Sequence, residues 1–253
     1  NPLQKEIKMG LDMKKMREKY AALKNRGQGG KSNFWRPQEG KQTIRIVPTA
    51  DGDPFKDFWF HYNLGKEPGF LSPKRNFGEE DPLNDFIREL YKGGSEDEIK
   101  MAKELGARQR FFAPVIVRGE EDAGVRVWGF GRTVYEEILG LILNPDYGDI
   151  TDIEAGHDIV LKYEKPGGAA FPKTSLQPRP RKTTLVESGS KAKEMVESVP
   201  DFSSLFPRKT PAEVQTILDT FLLSEQDAEG VSSETTRYSN KATDVDKAFN
   251  DLL

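Results

Sequence analysis

Cysteine is absent from the 253 residues, and the only histidines are His61 and His157. Without thiols the chain can form neither a disulfide nor a thiolate-bound metal site. The two histidines stand too far apart in sequence for a typical zinc motif, so no metal is expected. No apolar run approaches the roughly 18 residues of a membrane-spanning helix. These absences exclude disulfide scaffolds and cysteine-based zinc domains within this sequence, and no membrane partner is expected.

Signatures of catalysis are also missing. The glycine-rich segment Arg26–Ser32 lacks the spacing of a phosphate-binding loop and is interpreted as a flexible linker. Acidic pairs such as Glu120–Glu121 are expected on solvated surfaces, because 31% of the residues are charged. No nucleophile–base pair stands out. The sequence therefore indicates a binding or structural protein and not an enzyme.

Charge is unevenly distributed, although the formal net charge is only −3. Residues 1–31 carry nine basic side chains against three acidic ones, and residues 162–193 carry eight against two. Residues 224–253 carry seven acids against three bases. Basic segments of this kind can neutralise phosphates. An acidic tail with a few apolar residues is typical of a segment that binds partner proteins.

Period-two alternation predicts at least five short strands, and helical periodicity predicts intervening helices. The strands are expected over 43–48, 57–62, 110–118, 124–131 and 157–163, and the helices over 79–104, 134–143 and 211–223. The predicted class is mainly β with inserted helices (α+β). A partly open five-stranded barrel suits this pattern, and a β-sandwich remains an alternative.

The segment 108–135 combines five arginines with five aromatic residues in 28 positions. Rings can stack on nucleic-acid bases, and arginines can neutralise phosphates. Because alternate residues of a strand share a face, Arg126, Trp128 and Phe130 are expected on one side. The alternative is that the rings belong to the core and the arginines to a solvated face.

A second basic stretch, Lys173–Lys182, is rich in proline and follows Phe171. Its composition predicts irregular structure. It could form a stiff basic strip along a phosphate backbone, or it could be a solvated linker.

Four segments of the chain resemble a known family in their order along the sequence. They are QTIRIVP at Gln42–Pro48, RFFAPVIVRGEEDAGVRVWGFGRTVYEEI at Arg110–Ile138, GHDIVLKYEKPGG at Gly156–Gly168, and the terminal TDVDKAFNDLL. Together with the basic start and acidic end, they resemble the single-stranded DNA-binding, helix-destabilising proteins of T-even-type tailed phages. The resemblance implies an OB-fold core that holds a single strand in a basic, aromatic-lined cleft.

The resemblance also implies a division of the chain. Residues 1–31 would be an arm that contacts neighbouring protomers, and residues 32–200 the OB-fold core. Within this core, about 63–107 would replace the family's zinc lobe. Residues 201–223 would be a helical part of the core, and 224–253 an acidic tail that recruits replication and recombination proteins.

Candidate site residues follow from the patterns and the resemblance together. The expected DNA contacts are Arg108, Arg110, Phe111, Phe112, Arg126, Trp128, Phe130, Arg132, Phe171, Lys173, Arg179 and Arg181. The expected self-association residues are Lys14, Lys15, Arg17 and Lys19. The expected partner-binding residues are Asp244, Asp246, Phe249, Asp251, Leu252 and Leu253.

The family's zinc ligands, one histidine and three cysteines with a CPxC turn, are the main departure. Here the corresponding turn is Asp81-Pro82-Leu83-Asn84, and His61 lies near the histidine position. We therefore expect no zinc and no other cofactor. Apolar residues are expected to hold the lobe together, namely Phe70, Leu71, Phe77, Leu83, Phe86, Ile87 and Leu90.

The expected function is non-enzymatic coating of single-stranded DNA, without strong sequence preference, during phage replication, recombination and repair. The expected location is the cytoplasm of the infected bacterial host. Two alternatives are an RNA-binding regulator of single strands and a structural phage assembly protein.

Overall fold

The computed structural model describes residues 33–165, 167 and 172–229, with side chains described up to residue 224. Three sets of predicted site residues lie outside these ranges: Phe171, the arm lysines and arginine, and the six tail residues. The arm residues are Lys14, Lys15, Arg17 and Lys19. The tail residues are Asp244, Asp246, Phe249, Asp251, Leu252 and Leu253.

The described residues form eight strands and six α-helices, which confirms the predicted α+β class. The strands are β1 Phe34–Trp35, β2 Gly40–Ile46, β3 Lys56–His61, β4 Phe70–Leu71, β5 Arg108–Val117, β6 Arg126–Phe130, β7 Gly156–Glu164 and β8 Lys173–Thr183. The helices are α1 Pro73–Phe77, α2 Pro82–Gly93, α3 Glu96–Leu105, α4 Arg132–Ile142, α5 Gly189–Glu197 and α6 Pro211–Glu229. No helix in the described ranges is long and apolar enough to cross a membrane.

The strands belong to one mixed sheet in the order β1-β6-β5-β2-β7-β8, with β3 paired to β5 and β4. Among the pairings of described strands, β1 with β6 is parallel and the others are antiparallel. Within the described ranges no ladder joins β6 to β8. Helix α4 packs against β8 and β5, and the backbone N–H of Leu176 donates to Glu137 Oε1 at 3.0 Å. The helix thus covers the gap left by the missing ladder.

Lys173–Lys182 forms most of strand β8, so the prediction of irregular structure there was wrong. Its register places Pro178 beside Ile159 of β7. A proline lacks the N–H that a central strand must donate, but it is tolerated on an edge strand. Because β8 pairs with β7 alone among the described strands, Pro178 and Pro180 do not prevent pairing.

Both faces of the central strands are covered. One face carries Ile44, Val115 and Ile159 in the main apolar core. On the opposite face of the sheet, Phe112 packs with Phe202 and Phe206, and Ile116 packs with Leu185 and residues of α5. Strand β5 is consequently buried without interruption from Phe111 to Val117. Burial on both faces replaces the alternation that a half-exposed strand would show.

The remaining helices form a helical lobe, defined here as α1, α2, α3 and α6. Residues of α2, α3 and α6 pack with Phe70 of β4, and α1 contacts β3. The predicted helix over 79–104 is in fact α2 and α3, separated at Gly94, whose φ of 78° ends α2 in the left-handed region. Of the seven apolar residues expected to hold this region, Phe70, Leu71, Leu83 and Ile87 are buried, and Phe86 and Leu90 are partly buried. The seventh, Phe77, is 37% exposed.

Candidate nucleic-acid interface

A cleft of about 400 Å³ lies where the end of β6 and the start of α4 face the beginning of β8. Three basic residues, Arg36, Arg110 and Lys173, contribute to its lining. Trp128, Phe130 and Tyr163 supply its aromatic surface. The cleft therefore brings positive charge and flat apolar surface to the same place.

The start of α4 adds backbone donors to this cleft. Gly131 is the N-cap residue of the helix, and no side chain of the described part of the chain caps it. The first N–H groups of a helix point outward and carry a partial positive charge, which favours anions. A Cβ at Gly131 would lie 3.3 Å from a guanidinium nitrogen of Arg110. Glycine at this position thus gives the arginine room beside the helix terminus.

The structure brings together four of the predicted DNA contacts, Arg110, Trp128, Phe130 and Lys173, which all line the cleft. A fifth, Arg132, is exposed at the first turn of α4, where its Nε donates to Glu136 Oε1 at 2.7 Å. These residues come from β5, β6, α4 and β8, so the tertiary fold and not sequence proximity assembles them.

The other predicted arginines lie elsewhere. Arg126 forms an ion pair with Glu120 at 2.8 Å, and Arg108 is exposed, with its guanidinium 3.5 Å from the carbonyl oxygen of Lys103. On β8, Arg179 donates to Thr43 Oγ1 at 3.3 Å, and Arg181 is exposed. The predicted set therefore divides between the cleft and more distant parts of the surface.

Four predicted stacking rings are not exposed, which contradicts the expectation that they form an open stacking surface. Phe111, Phe112, Trp128 and Phe130 keep only 7, 0, 1 and 5% of their surface exposed. Phe111 stacks on Tyr135 with ring centroids 4.1 Å apart, and Trp128 contacts Phe130 at 4.4 Å. Their strands are covered on both sides, so the rings pack in the core. Trp128 and Phe130 still form part of the cleft wall.

The outer face of β2, β7 and β8 forms a second basic surface. The register sets Lys41 beside Lys162 and Glu164 beside Lys173. Lys162 binds Glu164 at 2.6 Å, so part of this charge is neutralised locally. Because Leu176 is buried on the inner face, Lys173 and Arg179, each an odd number of residues away, point outward. This surface starts at the cleft and continues along the edge strand.

One of the five hairpin arginines, Arg118, belongs to a partly buried structural network. Its guanidinium donates to Asp158 Oδ1 at 2.8 Å and to the carbonyl oxygen of Leu185 at 2.8 Å. Arg45 is fully buried beside it and donates to the carbonyl oxygens of Asp152 and Thr183. Burial lowers the pKa of Arg45, while Asp158 opposes this shift. These arginines fasten β8 and its neighbouring loops to the sheet.

The residues that the sequence resemblance matched to the family's zinc region form a hydrogen-bonded cluster. His61 Nδ1 lies 3.0 Å from the carbonyl oxygen of Leu105, and its Nε2 lies 3.3 Å from Asp81 Oδ2. Ser72 Oγ donates to the same carboxylate oxygen at 2.7 Å, and the backbone N–H of Asn84 donates to Asp81 Oδ1 at 3.1 Å. The cluster thus joins β3, the residue before α1 and the start of α2.

This donor set does not fit zinc. A ligating histidine needs a free lone pair, but both ring nitrogens of His61 already face oxygen atoms, those of Leu105 and Asp81. No group of three or more His, Cys, Asp or Glu side chains suited to a metal occurs among the described residues. Burial tends to raise the pKa of Asp81, but the hydrogen bonds and charge of His61, together with Ser72, hold this pKa at about 2. We name this group the His61–Asp81–Ser72 cluster.

Residues 38–222 match the family model described as gp32 DNA binding protein like, and this range is more than two thirds of the chain. The chain belongs to this family. This match confirms the resemblance noted from the sequence. Membership of the family implies DNA binding. A search of curated proteins finds no match. Most of the cleft lies within the matched range, including Arg110, Trp128 and Lys173, whereas Arg36 precedes it.

Several residues of the interface escaped prediction from the sequence. Tyr163 lies at the end of β7 on the same side as the buried Ile159 and Leu161, so period-two alternation could have suggested it. Arg36 follows the two-residue strand β1, which is too short to give a periodic signal. Trp59, which is partly exposed on β3, also escaped prediction.

Proposed function

We propose that the protein binds single-stranded DNA in the cleft between β6, α4 and β8. The observation that carries this proposal is the convergence of Arg36, Arg110 and Lys173 with the start of α4 in a member of a DNA-binding family. The basic side chains and helix N–H groups would hold phosphates, and Tyr163, the partly buried ring of the cleft lining, would contact bases.

The size of the cleft favours single strands over duplex. A volume of about 400 Å³ falls in the range of small-ligand pockets. Such a space accommodates one or two unstacked nucleotides, whereas a duplex would have to remain outside. Binding unpaired strands and not duplex would shift the equilibrium toward melted DNA, which is how a helix-destabilising protein acts.

Strand order supports assignment of the core to the OB-fold. The five strands β6, β5, β2, β7 and β8 are consecutive in the sheet, and α4 lies between β6 and β7 along the chain. A five-stranded, partly open barrel with oligonucleotides bound on one face and its adjoining loops is the usual arrangement of this fold. Here the connection from β7 to β8 borders the cleft through Pro172 and Lys173.

The broader role follows the family resemblance. The protein would coat and protect single strands during phage replication, recombination and repair in the infected bacterial cytoplasm. Residues 1–31 would contact neighbouring protomers on DNA, and residues 224–253 would recruit replication and recombination proteins. The protein would act without catalysis and without zinc, since His61, Asp81 and Ser72 already engage one another through hydrogen bonds.

The test compares matched fluorescent oligomers of single-stranded DNA, duplex DNA and RNA by anisotropy at low and high salt. The proposal predicts tight binding to oligo(dT), weaker binding to duplex, and a steep loss of affinity as salt rises. Preference for RNA would favour the RNA-binding alternative. An absence of binding to all three at low salt would overturn the proposal in favour of an assembly role.

A further inference from the structure

We propose that Trp59 and Arg75 form a second nucleotide subsite, which stacks one unpaired base of a DNA strand that also occupies the cleft. This inference rests on the proposed function and extends it to the helical lobe. The juxtaposition that supports it is a partly exposed indole with a guanidinium 5.1 Å from its ring centroid.

Exposure distinguishes Trp59 from the other two tryptophans. Trp35 and Trp128 keep 6 and 1% of their surface exposed and belong to the main core. Trp59 stands outside that core, in the half of β3 where burial is incomplete. A base needs an accessible ring face to stack on, and among the tryptophans Trp59 is the best placed to offer one.

The backbone of Trp59 is held firmly. Asn76 Oδ1 accepts from the N–H of Trp59 at 2.9 Å, and Asn76 Nδ2 donates to its carbonyl oxygen at 2.7 Å. The N–H of Ser72 donates to the same carbonyl oxygen at 2.9 Å. Helix α1 thus fixes the strand on which the indole stands. A ring on a fixed backbone loses little conformational entropy when it stacks.

Arg75 gives the subsite its charge. Its guanidinium lies within the range of a cation–π contact with the indole. The side chain is exposed, so it can also approach the phosphate next to a stacked base. Ring and cation together provide the two contacts that sequence-independent binding of single strands requires.

The strand register relates this subsite to the cleft. Trp59 pairs with Gln109, and Phe111, two residues further along β5, pairs with Phe130 in the cleft wall. Two inter-strand spacings and two residues along a strand give a backbone separation of roughly 12 Å. Nucleotides rise about 3.4 Å each in a stacked strand, so one strand of a few nucleotides could reach both places.

An acidic residue lies between the two places. Asp57 pairs with Phe111 and stands on the same face of the sheet as Trp59. Its carboxylate accepts a hydrogen bond from Gln109 Nε2 at 2.6 Å. A bound strand would therefore turn bases, and not phosphates, toward this part of the surface. Phosphate contacts are then expected at the two ends of this path, at Arg75 in the subsite and at the basic residues of the cleft.

The experiment measures binding of Trp59→Ala and Trp59→Phe to short and long oligo(dT), of about 4 and about 12 nucleotides, within the range of OB-fold site sizes. For the long oligomer we expect Trp59→Ala to lose on the order of 10-fold in affinity. Trp59→Phe should retain most of the affinity. The short oligomer, which fills only the cleft, should bind all variants alike.

A fluorescence readout keeps the test decisive if the alanine variant folds poorly. In the wild type, the long oligomer should quench tryptophan emission, and in Trp59→Phe this quenching should largely disappear while binding persists. Arg75→Ala should reduce the salt dependence for the long oligomer, whereas Arg88→Ala, an exposed arginine paired with Asp85, should not.

Unchanged affinity for the long oligomer in Trp59→Ala would overturn the subsite, as would equal losses for both lengths or unchanged quenching in Trp59→Phe. Failure of the wild-type protein to bind either oligomer is a different result, since it overturns the proposed function itself.

Discussion

His61 Nε2 lies 3.3 Å from Asp81 Oδ2, and neither side chain has any exposed surface. The sequence resemblance matched these two residues to the region of the family's zinc ligands, and here their contact joins β3 to the start of α2. Asp81 is also the N-cap of α2, since its carboxylate accepts from the N–H of Asn84. A single carboxylate therefore caps one helix and connects it to β3.

Replacing Asp81 by Asn should strongly destabilise the protein. The substitution removes the buried carboxylate that His61 Nε2 faces and that Ser72 Oγ donates to, and losing a hydrogen bond to a charged group typically costs about 1.5–3 kcal/mol. Thermal or urea unfolding measures the loss. Asp85→Asn is the matched control, because Asp85 pairs with Arg88 on the exposed side of the same helix. Equal stability of the two variants would contradict a structural role for the cluster.

The same cluster should make stability depend on pH in the acid range. The pKa of Asp81 is lowered from 3.8 to about 2 in the folded protein. A lowered folded pKa gives a stabilising contribution that is complete above the unfolded value and is lost as the pH falls toward about 2. The contribution is on the order of 2 kcal/mol.

Urea unfolding of the wild type and Asp81→Asn between pH 2 and pH 6 tests this dependence. The difference in unfolding free energy between them should be constant above about pH 5 and should shrink as the pH falls below about 4. A difference that stays the same down to pH 2 would show that the ionisation of Asp81 does not contribute to folding.

Zinc should have no effect on the stability of the protein. Both nitrogens of His61 already face oxygen atoms, and the neighbouring donors are a hydroxyl and a carboxylate. Adding zinc or a strong chelator should leave the unfolding midpoint unchanged. A rise of several degrees with stoichiometric zinc would contradict this interpretation of the lobe.

Substitution of Trp128 by Ala should mainly affect folding. The side chain is 1% exposed and packs against Trp35 and Phe130, and removing a buried tryptophan typically costs about 3–5 kcal/mol. Chemical unfolding should show this loss. Near-native stability combined with weak binding to oligo(dT) would instead restore the original expectation of an exposed stacking ring.

The α+β class and most strands could be predicted because alternation and turn residues are local signals. Two features could not. Strand β8 contains Pro178 and Pro180, which are acceptable because β8 pairs with β7 alone among the described strands, and an edge position is a property of the whole sheet. Phe112 was expected on an open face, yet Phe206, 94 positions away in the sequence, covers it at 5.1 Å between centroids.

The kinds of residue in the candidate site could be predicted from the sequence, but their arrangement in space could not. Arginines and aromatic residues in one hairpin indicated a charged, flat ligand. Which of them meet depended on long-range packing, since Arg110 and Lys173 come together across the open side of the sheet. Arg118 carries the same charge but is engaged by Asp158, a contact that spacing along the chain does not reveal.

The basic edge strand gives a prediction about binding beyond the cleft. If the phosphate backbone of the DNA runs along β8, Arg181→Ala should reduce the slope of log affinity against log salt by about one for a long oligo(dT). Stability should not change, because the side chain is exposed. Anisotropy titrations over a range of salt concentrations measure the slope, and an unchanged slope would confine DNA to the cleft.

The most direct test of the account is the salt dependence of oligo(dT) binding to a variant that carries both Arg110→Ala and Lys173→Ala. We predict an intact fold, much weaker binding at low salt, and a slope of log affinity against log salt that is smaller by about two. Arg88→Ala serves as the charge control. Wild-type affinity and slope in the double variant would show that the cleft is not where this protein holds single-stranded DNA.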